Sequence, residues 1–133
     1  MTPRESPILR AINVLQLPGV LARLFPLRLW RNSKGGARQG NRFHQYGLLA
    51  PGSSDLVGYT SVTITPAMIG QTVALFTAIE VKAPGGRVEP DQRHFVDRII
   101  SAGGVGGIAH SEAEAREIVL ARLRSLGAEL PEE

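Results

Sequence analysis

Three side chains, Asp55, Glu80 and Lys82, have the types and spacing to do chemistry together. Asp55 follows the turn signal Pro51-Gly52-Ser53-Ser54 and opens a run of strand-forming residues to Thr65. A second such run, Thr72 to Lys82, ends in Ile79-Glu80-Val81-Lys82 and is stopped by Ala83-Pro84-Gly85-Gly86. A strand alternates faces with a period of two. Phe76, Ala78, Glu80 and Lys82 therefore share one face, and Thr77, Ile79 and Val81 share the other, where Ile79 and Val81 would anchor the strand in a core. The residues between the runs, Pro66 to Gln71, are too few for a parallel crossover, so the spacing predicts an antiparallel hairpin. In that hairpin the start of one strand neighbours the end of the other, and Asp55 converges on Glu80. Two converging carboxylates are costly unless a cation shares them. Oxygen ligands of this kind suit a hard ion, Mg²⁺, with Mn²⁺ able to substitute. Lys82 would help deprotonate and hold an attacking water, or offset charge on a phosphate. A Glu-x-Lys triplet by itself is also an ordinary solvated strand end, so the rest of the chain must supply the distinction.

The 133 residues predict a single domain, with a core over about 5–126 and a short acidic tail. The absence of cysteine excludes disulfides, thiolate metal sites and cysteine nucleophiles. His44, His94 and His110 are scattered, which argues against a zinc site and places His94 and His110 as surface or core residues. The opening residues lack a leader pattern and no run is long enough for a membrane span, so the expected location is the cytoplasm of a bacterial or phage-infected cell. The net charge of +3 hides an asymmetry: residues 1–50 carry eight Lys/Arg against Glu5 alone, whereas residues 51–133 carry seven Lys/Arg against eleven acids. Arg31, Lys34, Arg38 and Arg42 fall in a short Gly-rich stretch. Guanidinium groups there suit phosphate contacts, although a polar loop would look the same.

The elements that must position these residues follow in order. Glu5 to Leu17 reads as a helix with Ile8, Ile12 and Leu15 inward, started by Thr2-Pro3-Arg4-Glu5 and stopped by Pro18-Gly19. Glu5 has a local role there, capping its own helix. Leu27 to Arg31 alternates as a strand, and Asn32 to Gly36 reads as a turn or mobile loop. Gly40 to Ala50 shows alternation but no assignable state. Glu89-Pro90-Asp91-Gln92 opens a helix with Glu89 at the cap and Gln92 at the reciprocal position; Phe95, Val96, Ile99 and Ala102 face inward. Val105 to His110 is a strand of small residues, joined by a crossover through that helix. Ser111 to Glu114 is a capping box for a last helix to about Leu126, with Ile118, Val119, Leu123 and Leu126 inward. The order α-β-β-β-α-β-α predicts an α/β protein with a mixed sheet flanked by helices.

An aspartate, then Glu-x-Lys at the end of the next strand, resembles the PD-(D/E)xK nuclease signature. The proline common before the aspartate is absent. In that departure, and in its fragments, the chain is similar to one branch, the VRR-NUC (virus-type replication-repair nuclease) domain. The fragments are Glu5 in the first helix, Trp30-Arg31-Asn32 before a Gly-rich loop, Gly52-Ser53-Ser54-Asp55-Leu56-Val57-Gly58, Phe76 to Lys82, Gly86-Arg87 with Gln92, and Ala102-Gly103-Gly104. The Leu21–Leu29 stretch looks longer than in that family. The resemblance implies a restriction-endonuclease-like core in which Asp55, Glu80 and the Val81 carbonyl bind Mg²⁺ and Lys82 is the catalytic lysine. Gln92 would lie near the site. Glu5 would reach the metal directly or through water, with the helix-capping role equally open. Arg31, Asn32 and Lys34 would contact DNA phosphates, joined by Arg38 and Arg42 on charge grounds.

The implied activity is that of a Mg²⁺-dependent endodeoxyribonuclease acting on branched DNA, such as four-way junctions, as a homodimer. The small-residue strand and the Leu21–Leu29 segment are candidate dimer surfaces. The alternative class is a non-catalytic DNA-binding or scaffold protein that keeps the fold. Its mark would be a broken Asp/Glu/Lys set, and the set here is intact.

Overall fold

The computed structural model describes residues 5–14, 26–33, 35–48 and 50–130. The chain divides into two compact units, residues 1–64 and 65–133. It is a mixed α/β protein, and among the described residues its ladders form three two-stranded sheets.

The first unit opens with α1, Glu5–Val14. Residues 15–25 lie outside the described residues, and with them the rest of the expected helix, its Pro18-Gly19 stop and most of the Leu21–Leu29 segment; the start at Thr2–Arg4 is outside them too. Leu9 and Ile12 are half-buried, but Ile8 is exposed, so the buried line is narrower than the apolar pattern predicts. Strand β1, Leu27–Arg31, forms where alternation predicts it. Two further strands follow, β2 (Gly35–Gln39) and β3 (Arg42–Tyr46), where the sequence suggested only a turn or mobile loop and an unassigned stretch. They form an antiparallel hairpin in register Gln39↔Arg42, with Gly40-Asn41 as a two-residue loop. Gly40 has φ +63 while Asn41 does not take a positive φ. A two-residue loop with glycine first is the turn whose twist matches the strands it joins. The Gly-Asn pair between two alternating segments was the legible signal for this hairpin.

Strand β4, Leu56–Thr60, pairs antiparallel with β1, and Trp30 and Tyr59 bring their ring centroids to 5.8 Å on one face. In the second unit β5, Thr77–Val81, pairs in parallel with β6, Val105–Ala109. These ladders correct the predicted hairpin of 55–65 with 72–82: β4 pairs back to β1, and β5 pairs forward to β6. Both strands are also shorter than predicted. β-Branched residues favour extended chain but do not choose a partner, and a ladder runs only as far as its partner does. The β1–β4 ladder closes at the bond from Ser61 N–H to Pro26 O, 2.8 Å. Val62, Ile64 and Val73, which read as strand, are exposed, and Pro66–Met68 forms a 3-10 turn between the two runs.

The second unit is a strand–helix–strand–helix. Helix α2, Pro90–Ser101, is the predicted crossover, and the Glu89 N–H donates to Gln92 Oε1 at 3.0 Å as the capping pattern requires. Helix α3 is Glu112–Ser125. The two helices take opposite faces of β6, and two glycines admit them. A Cβ on Gly106 would lie 3.1 Å from the Val96 carbonyl oxygen, and one on Gly107 would lie 2.6 Å from Ile118 Cδ1. Among the described residues Val96, Ile99, Val105 and Ala109 are the buried apolar side chains. The small residues of β6 thus serve helix packing on both of its faces. Phe95 and Leu126 are exposed rather than inward.

The cap of α3 departs from the predicted box in one bond. Ser111 Oγ accepts from Glu114 N–H at 3.1 Å, as predicted. The Glu114 carboxylate, however, accepts from the His110 backbone N–H at 2.6 Å and meets His110 Nδ1 at 2.9 Å. The backbone bond and then the ring hold the Glu114 carboxyl below its ordinary pKa. A depressed carboxyl stabilises the fold above its unfolded pKa, about 4.3. That stabilisation is lost as pH falls through the folded value. Glu114→Gln is therefore expected to lower the thermal midpoint at neutral pH and to match the wild type in strong acid. A deficit that persists unchanged into strong acid would show that the charge is not its source.

Candidate active site

Glu80 and Lys82 come from successive positions on one face of β5, and α2 covers the same face. Both side chains are half-buried, and Lys82 Nζ lies 3.2 Å from Glu80 Oε1. Partial burial removes some of the water that would screen this pair, so each charge helps hold the other in place. The strand beneath them is fixed by its ladder, which ends in bonds from Val105 N–H to Phe76 O, 2.9 Å, and from Lys82 N–H to Ala109 O, 3.0 Å. In a parallel ladder alternate residues bond to a given neighbour. The even positions of β5 therefore bond to β6, and the Val81 carbonyl points out of that ladder. The Val81 side chain is 73% exposed, which corrects the expectation that it anchors the strand; Ile79 is half-buried.

Above Glu80 lies an open cavity of about 510 Å³, also lined by Asp91, Gln92 and Phe95 from the first turns of α2. Gln92 thus combines two positions: its Oε1 caps the helix while its side chain borders the cavity beside Glu80. Asp91 is a cavity residue that the sequence reading missed. An acid in the first turn of a helix reads as a partner for the helix dipole. Only the placement of α2 on the Glu80 face puts it at the cavity.

The first unit holds Asp55, exposed and one residue before β4. Its backbone carbonyl accepts from Asn32 N–H at 2.8 Å. The Asn32 side chain is buried at 8% exposure and ties three segments together. Its Nδ2 donates to Ser54 O at 2.9 Å and to Ser53 Oγ at 3.2 Å, and its Oδ1 accepts from Leu48 N–H at 2.9 Å. Ser53 Oγ closes the knot on Leu48 O at 3.2 Å. The amide is thus occupied by the protein's own backbone and held away from solvent, not turned outward as a phosphate contact would require. Arg31, Arg38 and Arg42 are exposed, on the end of β1 and on the hairpin. Lys34 lies outside the described residues, as does the side chain of Glu5.

Whether these groups suit a metal can be judged from their donors. Glu80 offers a carboxylate with one oxygen paired to Lys82, Val81 offers a carbonyl outside the β5–β6 ladder, and Asp55 offers an exposed carboxylate. Among the described residues no three His, Asp or Glu side chains are grouped to hold an ion by themselves. Carboxylate and carbonyl oxygens are the donors that suit a hard divalent ion such as Mg²⁺, which keeps several waters and takes substrate phosphate oxygens as ligands.

A mixed α/β chain with a Glu-x-Lys strand end facing a helix-borne glutamine carries the pattern of the PD-(D/E)xK nuclease superfamily. The VRR-NUC domain model matches residues 13–113, and the chain belongs to that family. Neither the curated proteins nor the solved structures gave a match. Among the described residues no helix is long and apolar enough to cross a membrane.

Proposed function

We propose that this protein is a Mg²⁺-dependent endodeoxyribonuclease that cuts branched DNA, working as a homodimer in the cytoplasm. The observation that carries the reading is the Glu80–Lys82 pair, half-buried on one strand face beside Gln92, in a chain of a nuclease family. Asp55, Glu80 and the Val81 carbonyl would hold the ion, with Glu5 a further candidate. Its chemistry there would be to polarise a phosphodiester and acidify a water. Lys82 would keep an ammonium beside the reacting phosphate and offset the charge that develops on it. Gln92, its Oε1 fixed by the helix cap, would turn its amide donors to a water or phosphate oxygen. Arg31, Lys34, Arg38 and Arg42 would bind DNA backbone, a contact that sets position but not sequence. Branched DNA is the favoured substrate because its recognition is by shape, which needs no base-reading module.

The test is a titration of Mg²⁺ and Mn²⁺ against a labelled four-way junction and a linear duplex of the same sequence. The reading expects ion-dependent cleavage with the junction cut faster. Equal cutting of both would remove the preference for branches. No cutting of any DNA under either ion would leave a DNA-binding protein that keeps a nuclease fold.

A further inference from the structure

The β2–β3 hairpin is exposed at every position of both strands, and it carries Arg38 and Arg42 with no acid. Its register divides the side chains between two faces. Arg38 stands opposite Phe43 on one face, with Gly36 diagonal to the ring. Arg42, His44 and Tyr46 line the other, with Gly35 directly opposite Tyr46. Both glycines serve the rings. A Cβ on Gly36 would strike the Phe43 ring, and one on Gly35 would lie 2.8 Å from the Tyr46 hydroxyl oxygen. Each ring therefore lies across the bare backbone of the neighbouring strand. Phe43 is nonetheless 63% exposed and Tyr46 50%. Each face of the ribbon thus presents an aromatic plate and a guanidinium, directly opposite one another for Phe43 and Arg38 and at the two ends of the ladder for Tyr46 and Arg42.

We propose that this hairpin is a stacking arm for unpaired DNA bases, Phe43 and Tyr46 taking the bases while Arg38 and Arg42 take the flanking phosphates. An aromatic plate suits the π-face of a base, and that face is free only where pairing or stacking is interrupted. The cationic charge selects a polyanion over an apolar protein partner. The arm is rooted at the site: Asn32 precedes β2, Leu48 follows β3, and the knot joining them also holds the backbone of Asp55. The inference rests on the nuclease reading in taking DNA as the ligand, and it names the feature that draws this enzyme to branches and gaps.

The test is binding without cleavage. Fluorescence anisotropy in EDTA would compare a duplex bearing a short run of unpaired thymines with its fully paired counterpart. Phe43→Ala and Tyr46→Ala are each expected to weaken binding to the unpaired substrate by roughly 5- to 100-fold. Their effect on the paired duplex should be less than about twofold, and Phe43→Trp should retain the preference. Arg38→Gln should weaken both substrates alike and flatten the salt dependence by about one unit of slope. An unpaired 2-aminopurine should lose fluorescence on binding wild type and keep it with Phe43→Ala and Tyr46→Ala combined. Equal losses on both substrates, or none, would overturn the inference. So would a dimer that dissociates in Phe43→Ala, because a second copy would then cover the face. Binding is read in EDTA and cleavage in Mg²⁺, so failure of the arm and failure of the nuclease reading give different results.

Discussion

Glu80→Gln is expected to reduce DNA cleavage in Mg²⁺ by about 10³-fold or more, the scale seen when a group acting on transition-state charge is removed. Glutamine keeps the volume and one carbonyl oxygen but loses the charge that pairs with Lys82 at 3.2 Å and that would bind the ion. The fold should survive, because β5 is held through its backbone ladder to β6 and not through this side chain. DNA binding in EDTA should change little. Asp55→Asn should cause a loss of similar size, and the double variant should be scarcely worse than either single one, since groups that act as a unit are not additive. A Glu80→Gln protein that cuts DNA within tenfold of wild type would remove Glu80 from the mechanism.

Asn32→Ala is the second large effect, and it separates two roles for that residue. As a knot, Asn32 gives hydrogen bonds to Ser54 O and Ser53 Oγ and satisfies Leu48 N–H. These partners are only partly buried, so each lost hydrogen bond costs about 0.5–1.5 kcal/mol. Truncation should therefore lower the melting temperature and let the start of β4 shift, misplacing Asp55. Cleavage at saturating DNA should fall, with DNA affinity nearly unchanged. A phosphate contact would behave in the opposite way: stability intact, affinity reduced, and the salt dependence flattened. The structure favours the knot, since the amide is 8% exposed and aimed at the protein's own backbone.

Much of the second unit was legible because local rules and tertiary structure agree there. The period of two placed Glu80 and Lys82 on one face, and their contact follows from it. Glu89-Pro90-Asp91-Gln92 announced its helix by cap chemistry, and the crossover to β6 followed from the order of elements. The first unit was harder. Asp55 was found as a strand-start carboxylate, but the partner of its strand was misread. Hydrogen-bonding edges are not written in β-propensity, and β1, nearly thirty residues earlier in sequence, takes the edge of β4. The hairpin was hidden by its composition, because glycine, arginine and glutamine in a short stretch resemble a mobile loop until the Gly-Asn turn is weighed. Asn32 was read as a surface donor beside arginines. A buried polar knot leaves no periodic trace, because its partners Leu48 and Ser53-Ser54 are distant in sequence and two of its bonds go to backbone.

The proposed nuclease activity needs a divalent ion that both Asp55 and Glu80 help to hold. Calorimetric titration of Mn²⁺ into the wild type, Asp55→Asn and Glu80→Gln measures it without reference to any DNA. A binding event is expected in the wild type and is expected to be lost in both single variants while their melting curves stay close to the wild type. Mn²⁺ binding that persists undiminished in Asp55→Asn would contradict it.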